Sequence, residues 1–160
     1  MLTAARLSPN FSLASMIRSQ NAARLGLDNT PGPAEIANMT RLCVDLLEPA
    51  RHELGDAPVY VSSGFRSEAV NRAAGGSGTK PGQKPSAHIE GRAADIEHES
   101  LTPQEVFDRL RVSALPYDKI ILECGSWVHL QEAREGDAPR REAYTAHVDA
   151  NGDWDYVPVV

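Results

Sequence analysis

Only two cysteines occur among the 160 residues, Cys43 and Cys124, and they stand far apart. A disulfide framework needs more, and no CxxC zinc pair exists. Both are expected to be reduced core residues. No long basic run occurs and the formal net charge is -6, so the electrostatic footprint of a nucleic-acid binder is missing. No apolar run approaches the ~20 residues that span a bilayer, so no membrane partner is expected. The opening residues MLTAARLSPN hold no long apolar stretch. No secretory leader is therefore expected, and synthesis is placed in the cytoplasm. There is no internal repeat and no domain linker. With 41% hydrophobic and 24% charged residues, the remaining reading is one globular domain over 1–160, taken as a monomer. Residues 1–10 read as its loose lead-in.

Hydrophobic spacing assigns the elements. Phe11 to Leu25 reads as one or two short helices with Ser12 as N-cap. A turn follows over Asp28 to Pro33. Ala34 to Leu54 repeats apolar residues at three-and-four spacing (Ile36, Met39, Leu42, Cys43, Leu46, Leu47), which predicts a helix. Pro49 should kink it and Gly55 should end it. Val59 to Val61 is a short strand, and Arg66 to Ala74 a helix closed by Gly75 and Gly76. Gly75 to Pro85 is a surface loop. Ala93 to Ile96 is a second strand. Thr102, Pro103 and Glu105 open a helix to Val112 with a capping box. Lys119 to Glu123 and Trp127 to Leu130 are strands across a Cys124-Gly125-Ser126 turn. Tyr144 to Val148 and Trp154 to Val157 form a hairpin around Asn151-Gly152. Helices precede strands, which predicts an α+β fold with helices on one face of a small antiparallel sheet.

The chemistry concentrates in Ser86-Ala87-His88-Ile89-Glu90-Gly91-Arg92-Ala93-Ala94-Asp95 and in Trp127-Val128-His129. Two histidines and one aspartate suit a zinc ion with an open fourth position. Such an ion turns water into a nucleophile at neutral pH. Gly91 lets the chain turn sharply between His88 and Asp95. His52, His98 and His147 lack any partner pattern and are read as ordinary histidines.

The ordered set Ser62-Ser63-Gly64-Phe65-Arg66-Ser67, Val70-Asn71, Gly75-Gly76, Ser86-x-His88-x-x-Gly91-x-Ala93-x-Asp95 and Trp127-x-His129 resembles the zinc D-alanyl-D-alanine carboxypeptidase family. That family includes phage endolysins that cut L-alanyl-D-glutamate bonds and the vancomycin-resistance dipeptidases. The resemblance covers roughly residues 11 to 145. It implies a hedgehog/D-Ala-D-Ala-carboxypeptidase-like fold, a zinc cofactor, and the ligands His88, Asp95 and His129. It further implies a peptidoglycan peptide as substrate and hydrolysis of a bond next to a D-amino acid. Leu25-Gly26-Leu27-Asp28-Asn29-Thr30-Pro31 resembles the lead-in of a phage-associated branch. With the missing leader, this places the expected action on the cell wall after release, or as part of a virion.

Arg66 matches the arginine of the family's SGxRS motif. It would grip a substrate carboxylate or stabilise charge on the attacked carbonyl, or else satisfy loop carbonyls. Ser86 would support a ligand or touch substrate, or else stabilise a turn. Asn71 would buttress the Arg66 segment. Trp127 would line the substrate cleft or pack under the sheet. A general base is also required. Better-known endolysins of the family carry a glutamate three residues before the last histidine, where this chain has Ser126. Glu123 is the expected replacement, brought opposite the ligand strand by the tight hairpin, with Asp118, Glu90 and Glu97 as further carboxylates. Cys124 should face away from the metal. Asp149-x-Asn151-x-Asp153 lacks the later glutamate of a calcium loop and reads as a hairpin turn. The loop Ser77 to Pro85 is either a lid or groove wall, or a tolerated insertion. Two other readings stay open: an idle wall-binding or phage structural module, favoured by the serine at 126, and a purely structural zinc site.

Overall fold

The long helical stretch changes pitch just before Pro49. We describe residues 5–78 and 81–160 of a computed structural model, in which α3 (Pro33–Leu42) passes through a π-helical segment (Cys43–Leu47) into α4 (Glu48–Glu53). Proline donates no N–H and crowds the carbonyl four residues back. One wider turn immediately upstream absorbs that defect, so the expected kink takes the form of a π segment. The inward face stays continuous: Met39, Leu42, Cys43, Leu46, Leu47 and Ala50 are fully buried. Each large side chain so buried contributes about 1.5–3 kcal/mol.

Two short helices, α1 (Leu13–Ile17) and α2 (Gln20–Leu25), precede α3. Ser12 caps α1 as expected, its hydroxyl accepting from the Ser15 amide at 3.1 Å. Of the lead-in expected to be loose, residues 1–4 lie outside the described residues. Residues 6–12 form a closed loop with a bridge between Arg6 and Ser12. Glu48 holds that loop, accepting from the Ser8 hydroxyl at 2.6 Å and from the Asn10 amide at 2.7 Å. Further along come α5 (Glu68–Ala73) and α6 (Pro103–Val112). The α6 capping box is present, Thr102 and Glu105 bonding reciprocally.

Six strands form one sheet: β1 (Val59–Ser63), β2 (Ala93–His98), β3 (Lys119–Glu123), β4 (Trp127–Gln131), β5 (Glu142–Val148) and β6 (Trp154–Pro158). Their order is β1-β2-β4-β3-β5-β6. The pairs are antiparallel except β3 with β5, which is parallel, a correction to the fully antiparallel expectation. The cause is local. Both edges of β4 are taken, by β2 and β3. β4 ends at Gln131 beside Lys119, where β3 begins, and Glu142 pairs with that same Lys119. A short return therefore starts β5 at the head of β3 and runs it the same way.

Alternation along the strands divides the sheet into two faces. Ala94, Ile96, Ile120, Leu122, Val128 and Leu130 enter the core beneath the helices. Asp95, Ile121, Glu123 and His129 stand on the opposite face. The α+β class and the one-sided helix layer thus hold as expected. No helix among the described residues is long and apolar enough to cross a membrane.

The cysteines differ from each other. Cys43 is buried, and burial pushes its thiol up to about 12. Cys124 is exposed, not a core residue. The β3–β4 turn takes it in a left-handed conformation (φ +50°), so strand alternation no longer governs its direction.

Candidate metal centre

A β-bulge builds the first wall. Val61 pairs with Ile96 and Ser63 with Asp95, so Ser62 is the extra residue in β1. The bulge aims both serine hydroxyls to use. Ser62 donates to the Asp95 carbonyl at 3.2 Å, and Ser63 accepts from Arg66 Nε at 2.9 Å. Arg66 Nη2 then donates to Asp95 Oδ2 at 3.0 Å. Gly64 follows the bulge where the backbone touches α1. An added Cβ would sit 2.3 Å from the Met16 carbonyl oxygen, so only glycine fits.

His88 sits in a compact turn over 86–91, closed by Ile89 N–H to Ser86 O (3.0 Å) and Arg92 N–H to Ala87 O (2.9 Å). Gly91 closes it at φ +71°, and a Cβ there would meet the Glu35 carbonyl oxygen at 2.7 Å. The glycine role expected between His88 and Asp95 is therefore real. His88 Nδ1 lies 2.7 Å from the Gly64 carbonyl oxygen. A carbonyl only accepts, so Nδ1 carries the proton and Nε2 carries the lone pair. That lone pair stands 3.3 Å from Asp95 Oδ1.

Asp95 and His129 are direct cross-strand partners on β2 and β4. His129 Nδ1 lies 3.0 Å from the same Asp95 oxygen. The three candidate ligand atoms fall within 4.8 Å of one another, and all three residues are buried. Tetrahedral zinc bonds of ~2.0–2.1 Å separate ligand atoms by about 3.3 Å, which these spacings approach. The donor set and its convergence therefore fit zinc.

Electrostatics agree. Burial alone would raise the Asp95 carboxyl, but the neighbouring histidines hold it well below the usual carboxylate range. Burial lowers His88, which favours the neutral, ligating imidazole. His129 is raised: burial opposes this, but Asp95 and then Glu123 outweigh it. The two carboxylates thus attract positive charge, proton or metal ion, to the ring nitrogen of His129.

Glu123 stands beside these three residues. The tight β3–β4 turn brings its Oε1 to 4.0 Å from His129 Nδ1. Its Oε2 accepts from Trp127 Nε1 at 3.1 Å. Burial raises its carboxyl, moving it towards the range of a working general base. Ser126 is exposed and donates to the Cys124 carbonyl. The other carboxylates lie elsewhere: Asp118 bonds Arg140 and Gln131, Glu90 pairs with Arg92 and Arg134, and Glu97 is exposed.

These groups floor a cleft of about 850 Å³. Arg66, Ser86 and Trp127 all line it. Trp127 stands in the cleft and orients Glu123; it does not pack under the sheet. Ser86 also accepts from the His88 amide at 3.3 Å, so the turn-stabilising role is present too. One wall is Gly75, Gly76, Ser77 and Gln83, so the loop after α5 contributes to the groove. Asn71 differs from its expected part. Its side-chain amide donates to the Ser77 carbonyl at 2.9 Å, and it holds this wall instead of the Arg66 segment. Asn29 does the buttressing, donating to Ile17 and Phe65 carbonyls and accepting from the Ser67 amide at 2.7 Å.

The opposite wall was not anticipated. Tyr144, Trp154 and Tyr156 of the last hairpin line the cleft, with Lys119. Their alternation is visible in sequence, but the face they join depends on the strand order. The remaining histidines keep ordinary roles. His52 and His147 pair with Asp56 and Asp155, and His98 accepts from two turn amides. The Asp149 carboxylate accepts from the Asn151 and Asp153 amides at 2.8 and 3.0 Å, which is the hairpin turn expected there.

Residues 9–131 match the family model described as Peptidase M15. The match spans the bulge, Arg66, the 86–95 turn and β4, and it stops before the last hairpin. No curated protein matches the chain.

Proposed function

The chain belongs to the Peptidase M15 family, and on that premise we propose that it hydrolyses D-amino-acid-containing peptide bonds of bacterial peptidoglycan. The bond class is that of a D-Ala-D-Ala carboxypeptidase or an endolysin-type endopeptidase, on a hedgehog/D-Ala-D-Ala-carboxypeptidase-like framework. One observation carries the reading: His88 Nε2, Asp95 Oδ1 and His129 Nδ1 converge beside the raised carboxyl of Glu123. His88, Asp95 and His129 would hold the zinc on which the family depends. When bound, zinc polarises the scissile carbonyl and activates water.

The protein's own groups do the rest. Glu123 takes a proton at Oε1 and returns it to the leaving amine, while Trp127 fixes its other oxygen. Gly64 fixes the His88 tautomer, and Arg66 fixes Asp95. Arg66 also lines the cleft, where its remaining N–H groups would meet substrate carboxylate or developing negative charge. Ser86 and Trp127 border the bound peptide.

The rival reading, an idle wall-binding module, rested on the serine at 126. A partly buried carboxylate at 123 beside the three converging residues favours the enzyme. A structural site would call for a fourth protein ligand, and among the described residues three converge here. Substituting His88→Ala should remove stoichiometric zinc and peptide hydrolysis together, by metal analysis and product detection. Full zinc retention in that variant would overturn the ligand assignment.

A further inference from the structure

The pairing register carries another side chain into line with the metal centre. Glu123 on β3 pairs with Ala146 on β5, and Ala146 pairs with Tyr156 on β6. Paired residues share a face, and neighbouring strands lie ~4.8 Å apart. Tyr156 therefore starts about two strand spacings from Glu123, with only a methyl group between them. Ala146 is nevertheless 3% exposed on that face, so larger neighbours cover it. A tyrosine ring is long enough to lie across the methyl towards Glu123.

The surroundings support that placement. Tyr156 and Glu123 line the same cleft. Trp154 runs nearly parallel to the Tyr156 ring, with centroids 6.2 Å apart, and Tyr144 meets it edge-on at 6.5 Å. Burial first, then the negative charges of Glu123 and Asp95, push the phenol above the ordinary tyrosine range. It is a hydrogen-bond donor at neutral pH. Tyr117 shows the usual solution for such a group, donating to the Arg111 carbonyl at 2.8 Å. The Tyr156 hydroxyl makes no hydrogen bond among the described residues. A half-exposed phenol with an unused donor thus stands in the row of the candidate base.

We propose that Tyr156 is a substrate-contacting residue, its hydroxyl donating to a carbonyl or carboxylate oxygen of the bound peptide. This rests on the peptidase reading. The contact comes from the β5–β6 hairpin, beyond the stretch matched by the family model. Removing one substrate hydrogen bond of this kind costs about threefold to tenfold for a carbonyl acceptor and more for a carboxylate.

The test uses the full zinc-loaded chain and a synthetic stem pentapeptide, L-Ala-γ-D-Glu-L-Lys-D-Ala-D-Ala, which offers both candidate bonds. Tyr156→Phe keeps the ring and removes only the hydroxyl. Zinc content and melting temperature should match the parent, while kcat/KM falls about threefold to tenfold or further. Calorimetry should show weaker pentapeptide binding to Glu123→Gln/Tyr156→Phe than to Glu123→Gln alone. Parental turnover and parental binding in the phenylalanine variants would overturn the inference and leave the peptidase reading standing. A parent protein that neither cuts nor binds the peptide would overturn the peptidase reading and the inference together.

Discussion

Replacing Gly64 by alanine should loosen zinc without touching a ligand. The new Cβ would stand 2.3 Å from Met16 O, 3.0 Å from Met16 C and 3.1 Å from Met16 Cα. All three are backbone atoms, pinned by the Phe65 N–H to Met16 O bond of 2.7 Å, so the loop itself must move. Overpacking of this kind costs about 1–3 kcal/mol. At ~2–4 °C per kcal/mol for a chain of this size, the melting temperature should fall by roughly 2–12 °C. The second effect is on the metal. The shifted Gly64 carbonyl no longer meets His88 Nδ1–H, and losing such a support costs ~10–100-fold in metal affinity. Leu110→Ala separates the two effects. Leu110 is fully buried on the opposite side of the sheet, so that variant should lose ~2–5 kcal/mol of stability with parental zinc affinity. Chelator competition at a temperature where all three proteins are folded reads the affinities, and melting reads the stabilities. Parental zinc affinity in Gly64→Ala, or equal losses in both variants, would refute the argument that the carbonyl sets the histidine.

Glu123→Gln should keep full zinc occupancy and lose ~10²–10⁴ in turnover, measured by product release; full activity would move the base role elsewhere. Asp118 sets part of the acid limit of stability. Hydrogen bonds from Arg140 hold its carboxyl below the usual range, so its contribution is full above the unfolded pKa of ~3.9 and is lost as pH falls through the lower folded value. Arg140 is half exposed, which tempers the size of the effect. Urea midpoints of the parent and Asp118→Asn should differ at pH 7 and converge in strong acid; an unchanged gap would contradict this.

The elements were legible wherever periodicity, caps and turns agreed. Thr102, Pro103 and Glu105 announced α6, and the strands flanking Cys124-Gly125-Ser126 fell where expected. The π segment before Pro49 was not legible beyond a kink, because local sequence says that a helix must yield but not how. The convergence of His88, Asp95 and His129 was legible through an ordered motif, and the place of Glu123 beside them through the shortness of its turn. Three features needed the tertiary structure. The parallel β3–β5 pair follows from which sheet edge remained free. Asn29 exerts its hold across a gap in sequence, on Phe65 and Ser67. Tyr144, Trp154 and Tyr156 join the cleft only because β5 and β6 extend the sheet beyond β3. Cys124 was expected in the core, but it sits in the β3–β4 turn and is exposed.

The most direct test of the central claim is mass spectrometry of the products formed from purified peptidoglycan by the zinc-loaded protein, beside a chelated control. Chelator-sensitive release of fragments cut next to a D-amino acid is the expected result, and their masses name the bond. No release from protein shown to be folded and zinc-bound would contradict the claim that this centre is a peptidoglycan peptidase.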